Sequence, residues 1–568
     1  MGATLLCVDY LIASSDARHE AAAHRKTGRY WAYHQVHMFC DRCSVCSLGV
    51  AYEGKTIYQW NSGLRDIKKG HAPNLDTVYG IGSLSKIFTA SAIGILVEEG
   101  KLDWDTPIRS ILPEFRSSSQ FVTEELTVED LLSHRSGMAS SNEWWYGAGG
   151  ELLLTKSHMM KFINALKPVG SLRSRYIYSN WNFAILGEII ERITGVSYGT
   201  FISNRILAPL GMNRTSASHK FGNDSNLARP YAVLDNLSAY ELPMPKCEDD
   251  TIMTAAQGIQ STVNDLLKYS QALMLAYNSQ LQTKSTSSHE SPLKNVAKQF
   301  SAHTSRGSPS LTQKAYCLGM HRLQLPNSFD GLGCNTMFVE QMPVLTPGGE
   351  ARLVLSHGGS LAGYTTFVSL LPEINCSIVV LVNSIGLGDP AGWINQLIIE
   401  SVIDSPAPND YVALAKEAAS NHSSSFSKLS QELQKQRTDT PPSKPLRDYV
   451  GRYQDPHQGF IIDVNSHGGS ELQLEVAFQG LDSQVWALEH HQGDTFLCFH
   501  TSFNDLAKRA IFTFLDEDYF KFTFHSNEDG NIDRLFWAHD GNVPAEEQFF
   551  MKTSLTSAHS IQMSILKT

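Results

Sequence analysis

The chain reads as an α+β protein, an antiparallel sheet with flanking helices and a mainly helical subdomain, followed by a C-terminal all-β unit of barrel type. Three observations predict it. Strand-like runs at residues 45–52 and 55–60, and again at 363–371 and 376–383, are joined by turns too short for a crossover, Glu53-Gly54 and Pro372-Glu373-Ile374-Asn375, so each pair is antiparallel. Helical apolar periodicity fills the interval between the pairs. Past residue 446 the pattern changes to short alternating strands.

Taken in order, residues 1–43 carry no periodicity and are left unassigned, and residues 44–405 form the sheet-and-helix domain. After the first hairpin, a helix from about Ser83 carries the stripe Leu84, Ile87, Phe88, Ile95, Leu96 and ends at Gly100, a residue suited to a C-terminal cap. Further helices are expected at 127–133, 183–193 and 198–207, and Thr262 with Asp265 makes a capping box that opens another through 275. Residues 278–312, rich in Ser, Thr, Gln and Lys, read as a mobile loop or insertion. A helix at 393–403 is expected to cover the sheet. Residues 406–446 are helix and linker, serine-rich and closing on Thr440-Pro441-Pro442-Ser443-Lys444-Pro445, and 447–568 are the β-domain, with strands expected at 459–464, 472–478, 495–499, 510–514 and 519–525. Removing that domain is expected to leave a folded core.

A length of 568 residues suggests two or three domains, and 42% hydrophobic against 18% charged residues is the balance of a globular chain. The net charge is −11 with no basic stripe, which argues against a nucleic-acid partner. The longest strongly apolar stretch is 378–382, so no membrane span is expected. The first nine residues lack the basic start of a secretion signal and Asp9 interrupts a short apolar run, so a cytoplasmic location is expected. Nine cysteines, an odd number in a long chain, fit free thiols. His34, His37, Cys40, Cys43 and Cys46 recur every third residue, which does not match the paired knuckles of zinc sites, so no metal is assigned.

The chemistry centres on Ser83-Leu84-Ser85-Lys86. A serine hydroxyl needs a base to become a nucleophile, and a lysine three residues on lies one helical turn along the same face. The Ser-x-x-Lys spacing occurs four times, at Ser83, Ser291, Ser425 and Ser564. The last three fall in a Ser/Thr-rich tract, a serine run and the C-terminal tail, none of which preorganises a site. Ser83 follows Tyr79-Gly80-Ile81-Gly82, a tight approach to a helix whose N-terminus can support oxyanion charge. Its competing role is that of a helix cap. Two further constellations supply partners. Tyr178-Ser179-Asn180 offers a phenol to carry protons, its pKa lowered by a nearby ammonium, and an amide to hold Lys86 and a substrate carbonyl. His357-Gly358-Gly359-Ser360 offers two residues without side chains against which an acyl group can lie, and a Ser360 N–H to complete an oxyanion hole with that of Ser83.

Taken together, Ser-x-x-Lys, Tyr-x-Asn and His-x-Gly occur in the order found in the serine β-lactamase and penicillin-binding protein superfamily, and the chain resembles its class C β-lactamase-like branch of esterases, D-amino peptidases and acyltransferases. Leu102-Asp103-Trp104-Asp105-Thr106-Pro107, Leu131-Leu132-Ser133-His134-Arg135-Ser136-Gly137-Met138, Pro209-Leu210-Gly211-Met212 and Gly258-Ile259-Gln260-Ser261-Thr262 carry the same resemblance. Gly451-Arg452-Tyr453 resembles the start of the lipocalin-like barrel appended to such enzymes. The resemblance implies an acyl-enzyme on Ser83, proton handling by Lys86 and Tyr178, and no metal or organic cofactor. It implies an ester or amide of a small molecule as acyl substrate and water as acceptor. An alcohol acceptor, making the protein an acyltransferase, is the alternative, and a noncatalytic binding protein the third reading. Where β-lactamases of this branch carry Lys-Thr-Gly, this chain has His357-Gly358-Gly359, without the fixed cation and hydroxyl that grip a β-lactam carboxylate. Trp144, Trp145 and Tyr146 either wall a hydrophobic acyl pocket or simply pack.

Overall fold

The computed structural model describes residues 45–553 apart from 219, 247–248, 290, 308–310, 457–458, 467–472, 500–501 and 512–515. His34, His37, Cys40, Cys43, Ser564 and the core of the strand expected at 510–514 lie outside these residues.

The central sheet has eight antiparallel strands in the order Lys55–Gly63, Val45–Tyr52, Cys376–Val382, Tyr364–Leu371, Arg352–Leu361, His321–Leu325, Lys314–Tyr316 and Thr304–Ser305. Its third strand, Cys-Ser-Ile-Val-Val-Leu-Val, is almost wholly apolar because both faces are covered. Ile378, Val380 and Val382 point to one core with Trp393, while Val379 and Leu381 point to the other with Leu266 and Phe88. That is the period-two alternation of a strand read on both sides. The Pro390–Val402 helix closes the first face, opened by Pro390 at its first position and by Asp389 Oδ1 accepting from the Gly392 N–H at 3.0 Å. The Val263–Thr283 helix lies on the second face, capped by Thr262 as expected but running eight residues past 275.

The Ser85–Glu98 helix departs from its expected amphipathic form. Ser85 through Leu96 are all buried, since it runs through the middle of the molecule between the sheet and the helical subdomain. Its polar residues are therefore paired: Thr89 Oγ1 lies 2.7 Å from the Tyr198 hydroxyl and Ser91 Oγ 2.8 Å from that of Tyr269. Part of the segment expected to be a mobile loop is also anchored. Leu293, Val296 and Phe300 are fully buried, and Asn295 Nδ2 donates to the Gly94 carbonyl at 2.9 Å.

The serine-rich linker contains the Tyr411–Gln436 helix, 26 residues long. Tyr411, Ala418, His422, Phe426 and Leu433 form its one buried stripe, at spacings of four and seven. Beyond it eight antiparallel strands run in sequence order, Gly451–Gln454, Ile461–Ser466, Leu474–Phe478, Val485–Gln492, Thr495–Cys498, Lys521–Ser526, Ile532–Trp537 and Phe549–Lys552, and close a barrel through the pairs Tyr453 with Lys552 and Gln454 with Met551. The sequence reading missed the first, fourth, seventh and eighth of these.

The barrel is not an appendage on a separate core. Phe460, Phe478 and Trp537 belong to the same buried cluster as Trp144, Phe162 and Trp181 of the helical subdomain. Trp144 stacks on Phe460 at 6.4 Å and meets Phe162 edge-on at 5.8 Å. This shared burial weighs against a removable domain.

Candidate active site

Ser83 sits in the Gly82–Leu84 3₁₀ turn that runs directly into the Ser85–Glu98 helix. Several bonds fix that turn. The Ile81 N–H donates to the Ile259 carbonyl at 3.0 Å, the Ile259 N–H donates to Ser85 Oγ at 3.0 Å, and Thr366 Oγ1 donates to the Ile81 carbonyl at 3.0 Å. Neither the turn nor the helix carries a side-chain cap bond, which removes the capping role for Ser83.

The Ser83 hydroxyl is held instead between the two groups expected to handle its proton. Its oxygen is 3.0 Å from Lys86 Nζ and accepts from the Tyr178 hydroxyl at 2.8 Å. Lys86 is fully buried, and Nζ also reaches Asn180 Oδ1 at 2.7 Å and the Ala256 carbonyl at 2.9 Å. Burial drives the Lys86 pKa well below the usual lysine value. As a neutral amine, Lys86 has two N–H donors and one lone pair, an inventory that its three neighbours are able to satisfy. Two acceptor-only carbonyl oxygens take the N–H groups, leaving the lone pair for the Ser83 O–H.

Desolvation also pushes the Tyr178 phenol well above its usual value, the Ser83 bond opposing it. Tyr178 is thus a neutral hydrogen-bond donor, which corrects the expectation of a phenol lowered by an ammonium: desolvation of the buried ring outweighs any lowering. The Tyr178 ring is 4.9 Å from Lys86 Nζ and 4.3 Å from the buried imidazole of His134. His134 accepts the Ser179 N–H at its Nδ1 at 3.2 Å, and burial is the main cause that lowers its pKa. The Asn180–Thr194 helix begins three residues before the expected start, so its first residue, Asn180, faces Lys86 with Tyr178 two positions ahead.

The third constellation lies on the Arg352–Leu361 strand. Arg352–Ser356 pair with 325–321 on one side, whereas 357–361 pair only with 368–364 on the other. No described strand pairs with the remaining edge at 357–361, beside the nucleophile turn, so its backbone groups are not taken up by a neighbouring strand. The glycines have a second purpose. A Cβ at Gly359 would stand 2.1 Å from the Ile81 carbonyl oxygen, and one at Gly82, which has φ of +53°, would stand 2.8 Å from the Ser360 nitrogen. The backbones of turn and strand meet only because both positions lack side chains. Gly358 faces the Phe367 ring and Ser360 is exposed at the strand's end.

His357 is buried, and burial lowers its pKa to about 3. Its Nδ1 lies 2.6 Å from the Gly358 carbonyl, an acceptor, so the proton is on Nδ1 and Nε2 accepts from the Tyr316 hydroxyl at 3.1 Å. His357 therefore presents neither charge nor a spare donor. Trp144 and Trp145 do not wall an open pocket; both are buried, and their indoles bond within the protein.

The structure brings Ser83, Lys86, Tyr178 and Asn180 into one hydrogen-bonded group and sets His357, Gly358, Gly359 and Ser360 alongside. Ala256, whose carbonyl completes the Lys86 shell, carried no sequence signal of its own, although the phrase beginning at Gly258 starts two residues on. The decoys are used locally: Ser291 Oγ accepts the Leu293 N–H at 3.2 Å, and Ser425 Oγ donates to the His422 carbonyl at 2.7 Å. Among the described residues no group of three or more His, Cys, Asp or Glu is placed to hold a metal, Cys46, Cys317, Cys334, Cys376 and Cys498 are free, and no helix is long and apolar enough to cross a membrane.

An antiparallel sheet beside a helical subdomain, with a serine in the turn that opens the central helix held by a buried lysine and a tyrosine, defines the class of serine hydrolases that includes β-lactamases and penicillin-binding proteins. The chain belongs to the Beta-lactamase family, whose model matches residues 41–399; a second model, a domain of unknown function called DUF3471, matches residues 435–554. Among curated relatives, the Unguisins hydrolase ungD' of Aspergillus campestris is 24% identical over 73% of this chain and 74% of its own length. Penicillin-binding protein 4 of Amycolatopsis lactamdurans is 31% identical over 30% of this chain and 43% of its own. In fold, the octameric penicillin-binding protein homologue of Pyrococcus abyssi is similar over 92% of this chain and 98% of that one, with a TM-score of 0.54 at 21% identity. A class C β-lactamase of Rhodobacter sphaeroides covers 67% of this chain and 99% of its own at a TM-score of 0.51 and 20% identity.

Proposed function

We propose that the protein hydrolyses an ester or amide of a small molecule through an acyl group carried on Ser83. The observation that carries this reading is the Ser83 oxygen standing 3.0 Å from the Lys86 amine and 2.8 Å from the Tyr178 hydroxyl. As Ser83 attacks the carbonyl, its proton passes to the Lys86 lone pair, leaving an ammonium held by the Asn180 and Ala256 oxygens. The leaving alcohol or amine takes a proton delivered through Tyr178, which the Lys86 ammonium restores. Water entering on the same side then gives a proton to Lys86 as it attacks the acyl carbonyl, and the Lys86 ammonium returns that proton to the departing Ser83 oxygen, restoring both groups.

The neutral His357 favours an acyl group without a carboxylate beside the scissile bond. A charge-assisted bond to a carboxylate is worth about 1.5–3 kcal/mol, and nothing at this strand position supplies it. β-Lactams are accordingly poor substrates in this reading. Similarity to the relatives named as unguisins hydrolases, which extends over about three quarters of the chain, supports hydrolysis as the activity.

The test is incubation with a panel of p-nitrophenyl and amide substrates, with and without alcohol acceptors, with products identified by mass. Turnover that Ser83→Ala abolishes, together with fluorophosphonate mass added at Ser83, supports the reading. Wild-type protein that neither turns over nor labels would overturn it, and products esterified to the added alcohol would replace hydrolysis with acyl transfer.

A further inference from the structure

The Lys86 amine works only if the Asn180 amide presents its oxygen, because its NH₂ end would point hydrogens at the Lys86 N–H groups. An amide can sit either way round, and its neighbours decide which. The neighbour here is Asn142, whose Oδ1 accepts from Asn180 Nδ2 at 3.1 Å and from Trp145 Nε1 at 3.2 Å. An indole N–H can only donate, so Trp145 forces Asn142 to offer its oxygen. Asn142 in turn forces Asn180 to offer its NH₂ there, which leaves the Asn180 oxygen for Lys86.

Residues 141–145 are held from the far end of the chain. Asp540, in the barrel segment after Ile532–Trp537, accepts the Ser141 N–H at 2.7 Å, the Ser141 hydroxyl at 3.1 Å and, at 3.5 Å, the Ser140 hydroxyl, all on Oδ2. Its Oδ1 is occupied by the Asn542 backbone and amide at 2.9 and 3.1 Å. His539 accepts the Trp144 indole N–H on Nε2 at 3.0 Å. Ser141 has φ of +33°, a left-handed conformation costly for a serine and held here by those bonds. A second barrel residue, Gln484, clamps the other end of the segment, its Oε1 accepting the Ala148 N–H at 2.8 Å and its Nε2 donating to the Ala148 carbonyl at 3.1 Å.

We propose that the barrel is a working part of the acylation site, with Asp540 and His539 holding residues 141–145 so that Trp145, Asn142 and Asn180 orient one another toward Lys86. Asp540, Trp145 and Asn142 are positioning residues, acting through Asn180. The inference rests on the serine-hydrolase reading and adds a requirement for the β-domain.

The probe is a fluorophosphonate, with the rate of mass gain at Ser83 followed against pH in the full-length protein. An amide oxygen stabilises an ammonium more than an amine, so losing or reversing Asn180 lowers the Lys86 pKa further. The titratable groups facing Lys86 are Tyr178, His134 and His357. Glu143, next to Asn142, has its carboxyl pushed up to about 8 by burial, with the Asp540 charge adding to the rise.

In Asn142→Ala and Asp540→Ala the labelling rate is expected to fall at least ~10-fold, and its acid limb to move to lower pH. Glu143→Gln, run in parallel, assigns any shift that comes from that carboxyl. A purely structural role would reduce the folded fraction and leave the limb where it is. Should Asp540→Ala fail to fold, Asn142→Ala carries the test from within the hydrolase domain. Wild-type rates and an unmoved limb in folded Asn142→Ala overturn the inference while leaving Ser83 chemistry intact; absence of labelling in wild-type protein overturns the hydrolase reading itself.

Discussion

At the scale of single residues, the site is an uncharged network in a buried place. Lys86, Tyr178, His134 and His357 are all held toward their neutral forms by desolvation. The base is the deprotonated amine, so activity is lost as pH falls through the Lys86 pKa. That loss is expected well below the ordinary lysine value of 10.5; a kcat/KM profile with its acid limb near 10 would contradict it. Tyr178→Phe removes one bond, to Ser83, and is expected to keep the fold while slowing turnover by at least ~10²-fold, measured by ester hydrolysis beside circular dichroism. Ser83, Lys86, Tyr178 and Asn180 were legible in the sequence because their spacing and order carry chemistry. The Ala256 carbonyl was not, since every residue has one. Asn142 was hidden for another reason: its partner Trp145 read as either a pocket wall or plain packing, and the indole's donor role exists only in three dimensions.

At the scale of elements, the strand at 352–361 and the turn at 82–84 are pressed together through glycine. Gly359→Ala puts a methyl against the Ile81 oxygen and the Thr366 hydroxyl, at 2.1 and 2.3 Å before relaxation. The expected cost is about 1–3 kcal/mol of stability, and Ser83 labelling should fall by more than the unfolded fraction explains; thermal melts and labelling rates measured on one sample separate the two. The sheet strands and the Ser83 helix were readable because apolar runs and turn residues mark them strongly. The helix at 411–436 was harder to see, because its five buried residues are spread among serines and charges. One of them, His422, lies on Phe338 at 3.9 Å and against Phe503 of the barrel unit at 5.2 Å. Burial lowers its pKa from 6.5 to about 4. A base whose folded pKa is depressed contributes stability that is present above pH 6.5 and lost as pH falls toward 4. His422→Phe is expected to flatten stability over that window, by up to about 3 kcal/mol, in urea melts at successive pH values.

At the scale of the whole molecule, the hydrolase domain and barrel share a buried cluster, and the barrel reaches the loop beside the base. Calorimetry is expected to show one transition in which both units unfold together, and protein cut near residue 440 is expected to expose Trp144 and Phe162 and lose solubility. Two separate transitions, or a soluble and active truncation, would restore the view of independent domains. Composition revealed that a β-unit follows residue 446, but not how it docks. Four of its strands escaped notice because they are short or carry polar residues at solvent-facing positions, and contacts 399 positions apart leave no periodic trace.

That separation has a temporal side. Ser141 and Asp540 stand 399 residues apart, which at ordinary translation speeds is roughly 20 to 80 s of synthesis. Through that interval a growing chain carries its serine, lysine and tyrosine without the bond that braces the lysine's amide partner. On the proposal above, full acylating power therefore waits until Asp540 has been made and the barrel has folded against residues 141–145.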